Sequence, residues 1–501
     1  MRLGIDFGTT RTVIAAADRG NYPLVTFETE DGEGSEWYPG LLAFRGDELR
    51  TGFAALQVAD DRHWRIFRSI KRCLATAGPE DRIGGWRVQD LVVRFLEDMR
   101  QALTDNSNLE VSRADPLEVA VAVPAHSTAN QRMITADAFL RAGFDVVRML
   151  DEPSAAGLEY AWRRPADAKV KKRLLVVYDL GGGTFDASFI ALNSDVHEVV
   201  TTEGLHDLGG DDFDAELLRL ACDAIGRPDL AEGEGSHRLL NICRIEKERF
   251  RATTRRLVLH LLGDDEGVEV PVADFEAAVR PLIDRSLEAF DSALDRAEEH
   301  FGTDMLKHTV IYQVGGSSQL PTVSRVLRER FGRRVWRSPY PHGSVAIGLA
   351  IAAEGLHSPR IVERFTRNFG VWREHDHGRA ATFDPLFLKD TPLPGPAEPP
   401  LEKRRRYRAA HNVAHFRFIE SSRLYGNLVP GGEVTPWRDV RFPLVSELRG
   451  QPLDSVDVTR LPAPGDEVEE RYRCDANGVI EVEMVNLSAN YRDRFTLHGV
   501  Q

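Results

Sequence analysis

Short apolar runs that are followed at once by glycine-containing turns recur through the first part of the chain. Leu174–Tyr178 is typical of a buried strand in its length and β-branched content, and Ala187–Ile190 resumes as a second strand after three glycines. Val310–Val314 has the same character. Between these strands the apolar positions follow a helical period, as at Ile283, Leu287, Phe290 and Leu294. This pattern predicts an α/β domain.

The pattern changes after about residue 355. Gly355–Pro359 ends a helix, and from Asn368 onward short alternating runs replace the helical period. These runs are Phe416–Glu420, Val440–Phe442, Arg471–Cys474 and Ile480–Met484. An Asn-Gly turn within Asp475–Gly478 joins two of them as a hairpin. We therefore predict an α/β domain over residues 1–355, a linker over 356–367, and an all-β antiparallel sandwich over 368–501.

The segment Tyr178–Asp186 has the features of a phosphate cradle at the tip of a hairpin. Three glycines in a row allow backbone N–H groups to surround a phosphate: Gly181, Gly182 and Gly183. Thr184 adds a hydroxyl donor, and the carboxylates of Asp179 and Asp186 can hold a hydrated divalent cation. The segment has no Gly-Lys-Ser/Thr ending and no helix follows it, so it differs from a strand–helix P-loop.

The same arrangement occurs at the N-terminus, where Leu3–Ile5 leads into a turn and Thr12–Ala15 returns. This turn supplies Asp6, Gly8, Thr9 and Thr10. Because the two cradles lie about 170 residues apart, we expect duplicated halves that close on one nucleotide from opposite sides. A third turn follows Val310–Val314 and allows the backbone to approach a sugar or base; its residues are Gly315, Gly316 and Ser317.

The composition narrows the functional classes. The chain has 501 residues and a formal charge of −14 at pH 7, which argues against a surface that coats nucleic acid. Its four cysteines show no metal or redox spacing, and we interpret them as reduced core thiols. No apolar run approaches the length of a membrane span, and Met1–Leu3 enters a strand without a signal-peptide core. We expect a cytoplasmic protein that binds neither nucleic acid nor membrane.

Taken together, these motifs resemble those of the heat-shock protein 70 (Hsp70, DnaK-like) family of chaperones. The resemblance rests on segments that occur in the family's order: Ile5–Thr10, Asp151–Ala156, Asp179–Asp186, Leu208–Asp214 and Val314–Ser317. It implies an actin-like (duplicated ribonuclease H-like) ATPase domain with two lobes and four subdomains, followed by the β-sandwich. The implied reaction is hydrolysis of ATP to ADP and phosphate with Mg²⁺, and K⁺ is a further candidate ion.

The resemblance also assigns roles to individual residues. The implied catalytic residues are Lys71, Glu152, Asp179 and Thr184, with Lys71 stabilising developing charge and Asp179 orienting or deprotonating water. Asp6, Asp179 and Asp186 would hold Mg²⁺, largely through water. The nucleotide would contact Asp6, Gly8, Thr9, Thr10, Gly181, Gly182, Gly183, Thr184, Gly209, Gly210, Lys247, Gly315, Gly316 and Ser317. Pro124, Arg132 and Glu152 match the family's relay between the nucleotide state and the substrate domain.

The chain departs from the family in two places. Arg244, Arg251, Gln319 and His342 replace residues that commonly surround the adenosine, so we expect ATP to be held less tightly. The family's linker is leucine-rich and acidic, whereas this chain offers Ile361 and Val362. The first departure bears on adenine affinity and selectivity and leaves the phosphate site untouched, whereas the second implies weaker or rewired coupling between the domains.

The resemblance implies that the β domain binds unfolded or extended polypeptides, with a J-domain co-chaperone and a nucleotide-exchange factor as candidate partners. Residues 479–501 are too few for the helical lid of longer relatives, so we expect a short form that releases peptide quickly. Two rival functions are a nucleotide-gated scaffold with one dedicated partner and an actin-fold kinase of small molecules. We interpret the basic run Lys403–Arg406 as a solvated loop.

Overall fold

The computed structural model divides the chain into two compact units. Unit 1 comprises Met1–Ala125 and Ala136–Ile361, and unit 2 comprises His126–Thr135 and Val362–Gln501. The residues that it describes are 1–29, 32–74, 81–165, 173–192, 196–232, 236–261, 267–302, 309–355, 359–496 and 499–500. Within these ranges no helix combines the length and apolar content needed to cross a bilayer.

Unit 1 contains strands β1 to β20. They are β1 Arg2–Phe7, β2 Arg11–Ala16, β3 Phe27–Glu28, β4 Gly34–Ser35, β5 Tyr38–Pro39, β6 Leu41–Arg45, β7 Glu48–Thr51, β8 Arg65–Arg68, β9 Arg82–Ile83, β10 Trp86–Arg87, β11 Glu118–Val123, β12 Asp145–Asp151, β13 Arg173–Leu180, β14 Phe185–Leu192, β15 Val196–Leu205, β16 Arg256–Leu259, β17 Val268–Pro271, β18 Val310–Val314, β19 Val335–Arg337 and β20 Arg360–Val362, whose last residue falls in unit 2.

The α-helices of the described residues all begin before residue 350. They are α1 Gly52–Gln57, α2 Ile70–Cys73, α3 Val88–Asp105, α4 Ala129–Arg141, α5 Glu152–Arg163, α6 Gly210–Ala224, α7 Asp229–Glu232, α8 Ser236–Arg249, α9 Val272–Phe301, α10 Pro321–Phe331 and α11 Ser344–Glu354. Short 3₁₀ turns occur at Ser317–Gln319, Gly332–Arg334, Asp376–Gly378, Gly426–Leu428 and Ser446–Leu448.

Two mixed sheets in unit 1 share one connection pattern. The first has the order β12-β11-β1-β2-β5, in which β1 is antiparallel to β2 and parallel to β11. The second has the order β19-β18-β13-β14-β15-β20, in which β13 is antiparallel to β14 and parallel to β18. In both sheets, therefore, the first strand of a glycine hairpin pairs on its other side with a parallel strand: β1 with β11, and β13 with β18. The repeated sequence motif corresponds to a repeated sheet arrangement.

A shared apolar core connects these two sheets through helix α11. Residues of β2, β11, β13 and β14 pack in one cluster with α5 and α11, whose central residues are all buried. Helix α11 is apolar on every side and has no solvent-facing stripe, as expected of an enclosed helix. A second cluster packs α6, α9 and α10 against the other face of the second sheet. The hairpin tips of β1–β2 and β13–β14 are fixed by this core.

Unit 2 contains strands β21 to β29 in two antiparallel sheets. They are β21 Asn368–His375, β22 Ala380–Phe387, β23 Leu401–Arg408, β24 Val413–Tyr425, β25 Val429–Pro443, β26 Glu467–Cys474, β27 Ile480–Asn486, β28 Tyr491–Thr496 and β29 Gly499–Val500. The sheet orders are β22-β21-β24-β25 and β23-β26-β27-β28-β29. The predicted hairpin is confirmed, since Gly478 N–H donates to the Asp475 carbonyl between β26 and β27.

Arg373 lies between the two sheets of unit 2. Its Nη2 is 2.7 Å from Oε2 of the fully buried Glu470, and its Nε is 2.6 Å from Oδ2 of Asp384. Arg405 of β23 also reaches Asp384, at 2.7 Å. Because Arg373 and Asp384 belong to one sheet and Glu470 and Arg405 to the other, this ion-pair network joins the two layers of the sandwich.

Residues 126–135 group with unit 2. The N–H of Ala129, the first residue of α4, donates to both carboxylate oxygens of buried Glu420, at 3.0 and 3.2 Å. Arg132 donates from Nη1 to the carbonyl of Asn477 at 3.1 Å. A buried carboxylate at a helix N-terminus satisfies backbone donors that have no partner inside the helix. The position of residues 126–135 in the sequence, in the middle of unit 1, does not indicate that they pack with unit 2.

Three sequence interpretations differ from the structure. Lys403–Arg406 is not a loop, because it lies in edge strand β23 and pairs with β26. The linker predicted over 356–367 contains strand β20, which lies beside β15; its residues 356–358 fall outside the described ranges. Of the four free cysteines, Cys222, Cys243 and Cys474 are buried as expected, whereas Cys73 is partly exposed.

Candidate functional site

One cavity of about 1080 Å³ opens where the two glycine hairpins face each other in unit 1. Most of the predicted site residues line it: Asp6, Gly8, Thr9, Thr10, Lys71, Glu152, Asp179, Gly181, Gly182, Thr184, Gly210, Lys247, Gly315, Gly316 and Ser317. Gly183, Gly209 and Asp186 lie behind this wall. The structure thus brings together residues that are separated by more than 300 positions in the chain.

The two hairpin tips touch. A Cβ atom added to Gly182 would lie 2.8 Å from Thr10 Oγ1, and one added to Gly183 would lie 2.8 Å from Cγ2 of Thr9. Since real Cβ atoms do not approach that closely, only glycine fits at these positions. The close approach leaves the backbone N–H groups of both tips at one end of the cavity, where an anion could receive several hydrogen bonds.

Helix α6 begins against the second hairpin. Gly210 N–H donates to the Gly181 carbonyl at 3.0 Å, and Asp211 N–H donates to the Gly182 carbonyl at 2.7 Å. At the cap, Gly209 N–H donates to Oδ2 of Asp212 at 2.7 Å. The positive end of the α6 dipole therefore adds to the field at the hairpin end of the cavity.

Lys71 and a group of carboxylates form the charged end of the cavity. Lys71 Nζ donates a short hydrogen bond to Oε1 of Glu152, and both side chains are buried. Burial alone would lower the pKa of Lys71, but the charges of Glu152, Asp6 and Asp179 outweigh it, so that its pKa is raised. Lys71 is therefore charged at neutral pH.

The aspartates of this group are forced toward their protonated forms. Burial raises the pKa of Asp6 to about 7, with Lys71 opposing the rise and Glu152 adding to it. Burial and the charges of Glu152 and Asp6 raise the pKa of Asp179 well above its usual value. Asp186 behaves likewise, through burial and then Glu152 and Asp179. One lysine does not balance these carboxylates, so the group favours an added cation.

Gly315 brings the third turn against this group. Its φ is +84°, and an added Cβ would lie 2.4 Å from Asp179 Oδ1. Both the left-handed backbone and the lack of a side chain are needed for the turn to approach the carboxylate. Its N–H donates to the carbonyl of Pro341 at 3.0 Å, which ties the turn to the segment before α11.

Lys247 of α8 is held beside the start of α6. Its Nζ lies 2.7 Å from Oδ1 of Asp214 and donates to the Gly210 carbonyl at 2.6 Å. Burial raises the pKa of Asp214 to about 6, against the effect of Lys247. The side chain of Ser317 adjoins this pair, since a Cβ on Gly210 would lie 2.3 Å from Ser317 Oγ.

The residues that depart from the family also line the cavity. Gln319 Nε2 lies 2.8 Å from His342 Nε2, and burial lowers the pKa of His342 to about 4, so the imidazole is neutral. Arg244 and Arg251 of the α8 region complete this set. Gln319 and His342 are therefore neighbours in the cavity lining, and Arg244 and Arg251 line the same cavity.

Sequence reasoning missed several cavity residues. Arg11 follows the first cradle directly, and that adjacency was an available signal; its guanidinium lies 4.2 Å from the Trp37 ring centroid. Trp37, Asp214, Arg328 and Arg337 also line the cavity, and their local sequence gave no indication. Within the described ranges, no three His, Cys, Asp or Glu side chains are placed to ligate one metal ion directly.

Comparison with known proteins gives one family. A family model described as Hsp70 protein matches residues 85–366. A protein of Bordetella petrii described as a chaperone protein HscA homolog is 31% identical over 381 residues, which cover 72% of this chain and 59% of the relative. A Vibrio vulnificus protein with the same description is 30% identical over 384 residues, which cover 70% and 58%. The chain thus spans less than two thirds of the length of these relatives.

Proposed function

The chain belongs to the Hsp70 family, and from that premise we propose that it is an ATP-dependent chaperone. In this proposal residues 1–355 form an actin-like ATPase domain of two lobes and four subdomains, and residues 368–501 form a β-sandwich. Hydrolysis of ATP to ADP and phosphate controls how tightly the sandwich holds unfolded or extended polypeptides. A J-domain protein and a nucleotide-exchange factor are the candidate partners.

One observation carries the proposal: the two glycine hairpins meet at the end of a single cavity, beside a buried group of carboxylates with one lysine. A Mg²⁺–triphosphate suits this end for two reasons. Backbone N–H groups of the hairpin tips donate to phosphate oxygens in the field of the α6 dipole, and a Cβ at Gly182 would meet the side chain of Thr10 and push the two tips apart. The carboxyl oxygens of Asp6, Asp179 and Asp186 are hard ligands whose raised pKa values fall when a cation is present.

The residues of the chain divide the chemical work among them. When bound, Mg²⁺ neutralises phosphate charge, and Asp6, Asp179 and Asp186 hold it largely through water. Lys71 is charged and fixed by Glu152, so it stabilises the negative charge that develops on the γ-phosphate oxygens. Asp179 orients the attacking water and accepts its proton. Glu152 positions Lys71.

Other residues hold the nucleotide. The hydroxyls of Thr9, Thr10 and Thr184, together with the glycine N–H groups, donate to the phosphate oxygens. Lys247 and Ser317 lie beside Gly210, on the wall that faces the nucleoside. Gln319 and His342 replace residues that usually flank the base, and we propose that adenine is consequently held more weakly than in longer relatives.

Release of phosphate and dissociation of peptide test the proposal together. Wild-type protein is mixed with Mg²⁺ and ATP, and phosphate release is followed under single-turnover conditions. The dissociation rate of a fluorescent apolar peptide is then measured with ATP and with ADP. We expect ATP to be hydrolysed and the peptide to dissociate faster with ATP than with ADP, because nucleotide binding and peptide binding are reciprocally coupled.

Variant Asp179→Asn is the matched control, since it keeps the side-chain volume and removes the negative charge. It should bind ATP but release phosphate at least about a hundredfold more slowly. Equal peptide dissociation rates with ATP and ADP would eliminate the chaperone cycle even if ATP were hydrolysed. The cytoplasmic location stays a prediction.

A further inference from the structure

Six arginines line the cavity, and four of them, unlike Arg11 and Arg325, have no ion-pair partner among the described carboxylates. These four come from three separate elements: Arg244 on α8, Arg251 just after it, Arg328 on α10, and Arg337 at the end of β19. The protein carries a net charge of −14, so positive charge concentrated in one cavity runs against its overall composition. The proposed function, which places a nucleotide's phosphate chain against the glycine hairpins, does not use these side chains.

None of the four forms an ion pair with a carboxylate within the described ranges. Arg337 donates from Nη2 to the Gln319 carbonyl at 3.0 Å and to Ser324 Oγ at 2.6 Å. Arg251 donates from Nη1 to two backbone carbonyls, those of Glu248 at 2.6 Å and Phe250 at 3.0 Å. Both guanidinium groups are thus oriented by neutral oxygens and keep their full charge.

The other two arginines have even fewer contacts. Arg244 donates from Nη2 to Asn241 Oδ1 at 2.9 Å, and its Nε is buried with no hydrogen-bond partner in the described structure. Arg328 is exposed to the cavity mouth and has neither a hydrogen bond nor an ion pair with a described residue. An unpaired buried guanidinium N–H costs free energy unless something else satisfies it.

Three carboxylates that line the same cavity already have other partners. Asp214 contacts Lys247 and lies within electrostatic range of Arg244, Glu248 contacts Arg11, and Glu329 lies 3.9 Å from Arg325. Arg328 and Arg337 also repel each other. Burial and then the charge of Arg328 lower the pKa of Arg337, and Arg244 acts in the same sense on Arg68. A cluster of this kind is stabilised when an anion binds to it.

The size of the cavity leaves room for such an anion. Its volume of about 1080 Å³ is at or above the top of the usual range of about 300–1,000 Å³ for small-molecule sites. Arginine is the residue that best matches phosphate oxygens, because its planar fork donates two parallel hydrogen bonds. One continuous cavity therefore contains both the glycine hairpins and these arginines.

We propose that these arginines bind a second phosphate, carried by the same nucleotide on its ribose. The preferred ligand then has one phosphate group on the ribose in addition to its triphosphate. This inference rests on the proposed binding of the nucleotide's triphosphate by the glycine hairpins. A phosphate linked to the nucleotide and a free phosphate ion share the same chemistry. We commit to the linked phosphate, because both sets of contacts lie in one cavity and linkage makes the second contact intramolecular.

The test compares two nucleotides on the 501-residue protein. Affinities of ATP and of adenosine 5′-triphosphate 3′-phosphate are measured by calorimetry with Mg²⁺ at low and at high salt. We expect the doubly phosphorylated nucleotide to bind about tenfold or more tightly than ATP, as charge-assisted hydrogen bonds to a phosphate allow. The preference should shrink at high salt, because the contacts are open to solvent.

Variants locate the effect. The double variant Arg328→Ala/Arg337→Ala should reduce the affinity ratio of the two nucleotides to about one, whereas Arg328→Lys/Arg337→Lys should retain part of it because its charge remains. Arg333→Ala is the matched control, since Arg333 is exposed nearby on the Gly332–Arg334 turn and does not line the cavity. It should keep the wild-type ratio.

The outcomes separate this inference from the proposed function. Failure of both nucleotides to bind would contradict the proposed function itself. Binding of ATP with equal affinity for both nucleotides in the wild type would overturn the inference alone. If Arg328→Ala/Arg337→Ala keeps the wild-type affinity ratio of the two nucleotides, the inference is also overturned. If inorganic phosphate binds the ATP-loaded protein and abolishes the preference at concentrations near the Kd of the nucleotide, the site takes a free anion and the linked phosphate is wrong.

Discussion

The guanidinium of Arg11 lies 2.6 Å from the carboxylate of Glu248 and is stacked on the ring of Trp37. Arg11 begins β2, directly after the first cradle, whereas Glu248 is near the end of α8, more than 200 positions later in the chain. Both line the cavity of unit 1. The pair therefore connects two walls of the cavity, and its separation depends on how closely those walls approach.

Removal of this pair should speed the release of nucleotide. A half-exposed ion pair contributes about 0.5–1 kcal/mol, so Arg11→Ala should raise the dissociation rate of a fluorescent ADP analogue about two- to fivefold. Stopped-flow chase experiments measure this rate. Arg2→Ala is a suitable control, because Arg2 forms a similar exposed pair with Glu118 and does not line the cavity. Equal rates in the two variants would contradict the prediction.

Lys71 should be needed for turnover more than for binding. Lys71→Met removes the only described lysine in contact with Glu152 and leaves the carboxylates without a compensating charge. We expect kcat for ATP hydrolysis to fall at least about a hundredfold, because stabilisation of the developing γ-phosphate charge is lost. Single-turnover phosphate release checks this. Lys403→Ala, a change on edge strand β23, should retain wild-type turnover.

The pKa of Asp6, raised to about 7, predicts opposite pH trends for the free and the Mg²⁺-nucleotide-bound protein. A raised carboxyl pKa means that the folded protein holds a proton that the unfolded chain has released, so this residue's contribution to stability is lost as pH rises toward 7. Binding of Mg²⁺ needs the carboxylate and should strengthen over the same range. Asp6→Asn removes both trends.

Thermal unfolding measured between about pH 5 and pH 8, with and without Mg²⁺-ATP, tests this pair of trends. The relevant quantity is the difference in midpoint between wild type and Asp6→Asn, because other carboxylates titrate in both proteins. For the free protein the difference should shift in favour of Asp6→Asn as pH rises. A difference that does not vary with pH would show that Asp6 keeps an ordinary pKa.

Gly315 and Gly302 form a matched pair of positions. Both have a left-handed backbone, with φ of +84° and +77°. A Cβ on Gly315 would meet the carboxylate of Asp179, whereas one on Gly302 would meet nothing within 4 Å. Gly315→Ala should therefore weaken ATP binding and reduce turnover at least about tenfold by displacing Asp179, while Gly302→Ala should cost only about 1 kcal/mol in stability. Calorimetry and phosphate release distinguish the two effects.

Arg373 should be important for the stability of unit 2. Arg373→Ala leaves the fully buried Glu470 without its guanidinium partner, and we expect a loss of about 3–5 kcal/mol in unfolding free energy. Urea unfolding, monitored by hydrogen exchange of the backbone amides of Glu467–Cys474, measures this loss of unfolding free energy. Arg379→Ala, at an exposed position, should change stability by about 0.5 kcal/mol or less. The double variant Arg373→Leu/Glu470→Leu should recover much of the loss, since no unpaired charge remains.

Several features could be predicted because they depend on neighbours in the chain. The strand-glycine-strand pattern of Tyr178–Asp186 and the Asn-Gly hairpin after Cys474 are set by local backbone preference and by burial of alternate residues. The basic strand Leu401–Arg408 was misread for the opposite reason. Its charges pair with residues of other strands, such as Asp384 and Glu467, and charged edge strands resemble loops in sequence.

The sequence by itself determined the two glycine cradles, the acid on each, the division into an α/β part and a β part, and the family to which the chain belongs. The tertiary structure alone decided that Arg244, Arg251, Arg328 and Arg337 share a cavity with Lys71, and that residues 126–135 pack with the sandwich. Backbone preference and periodicity act over a few residues and can be read locally. Long-range electrostatics depends on which distant strands become neighbours, and only the packed core settles that.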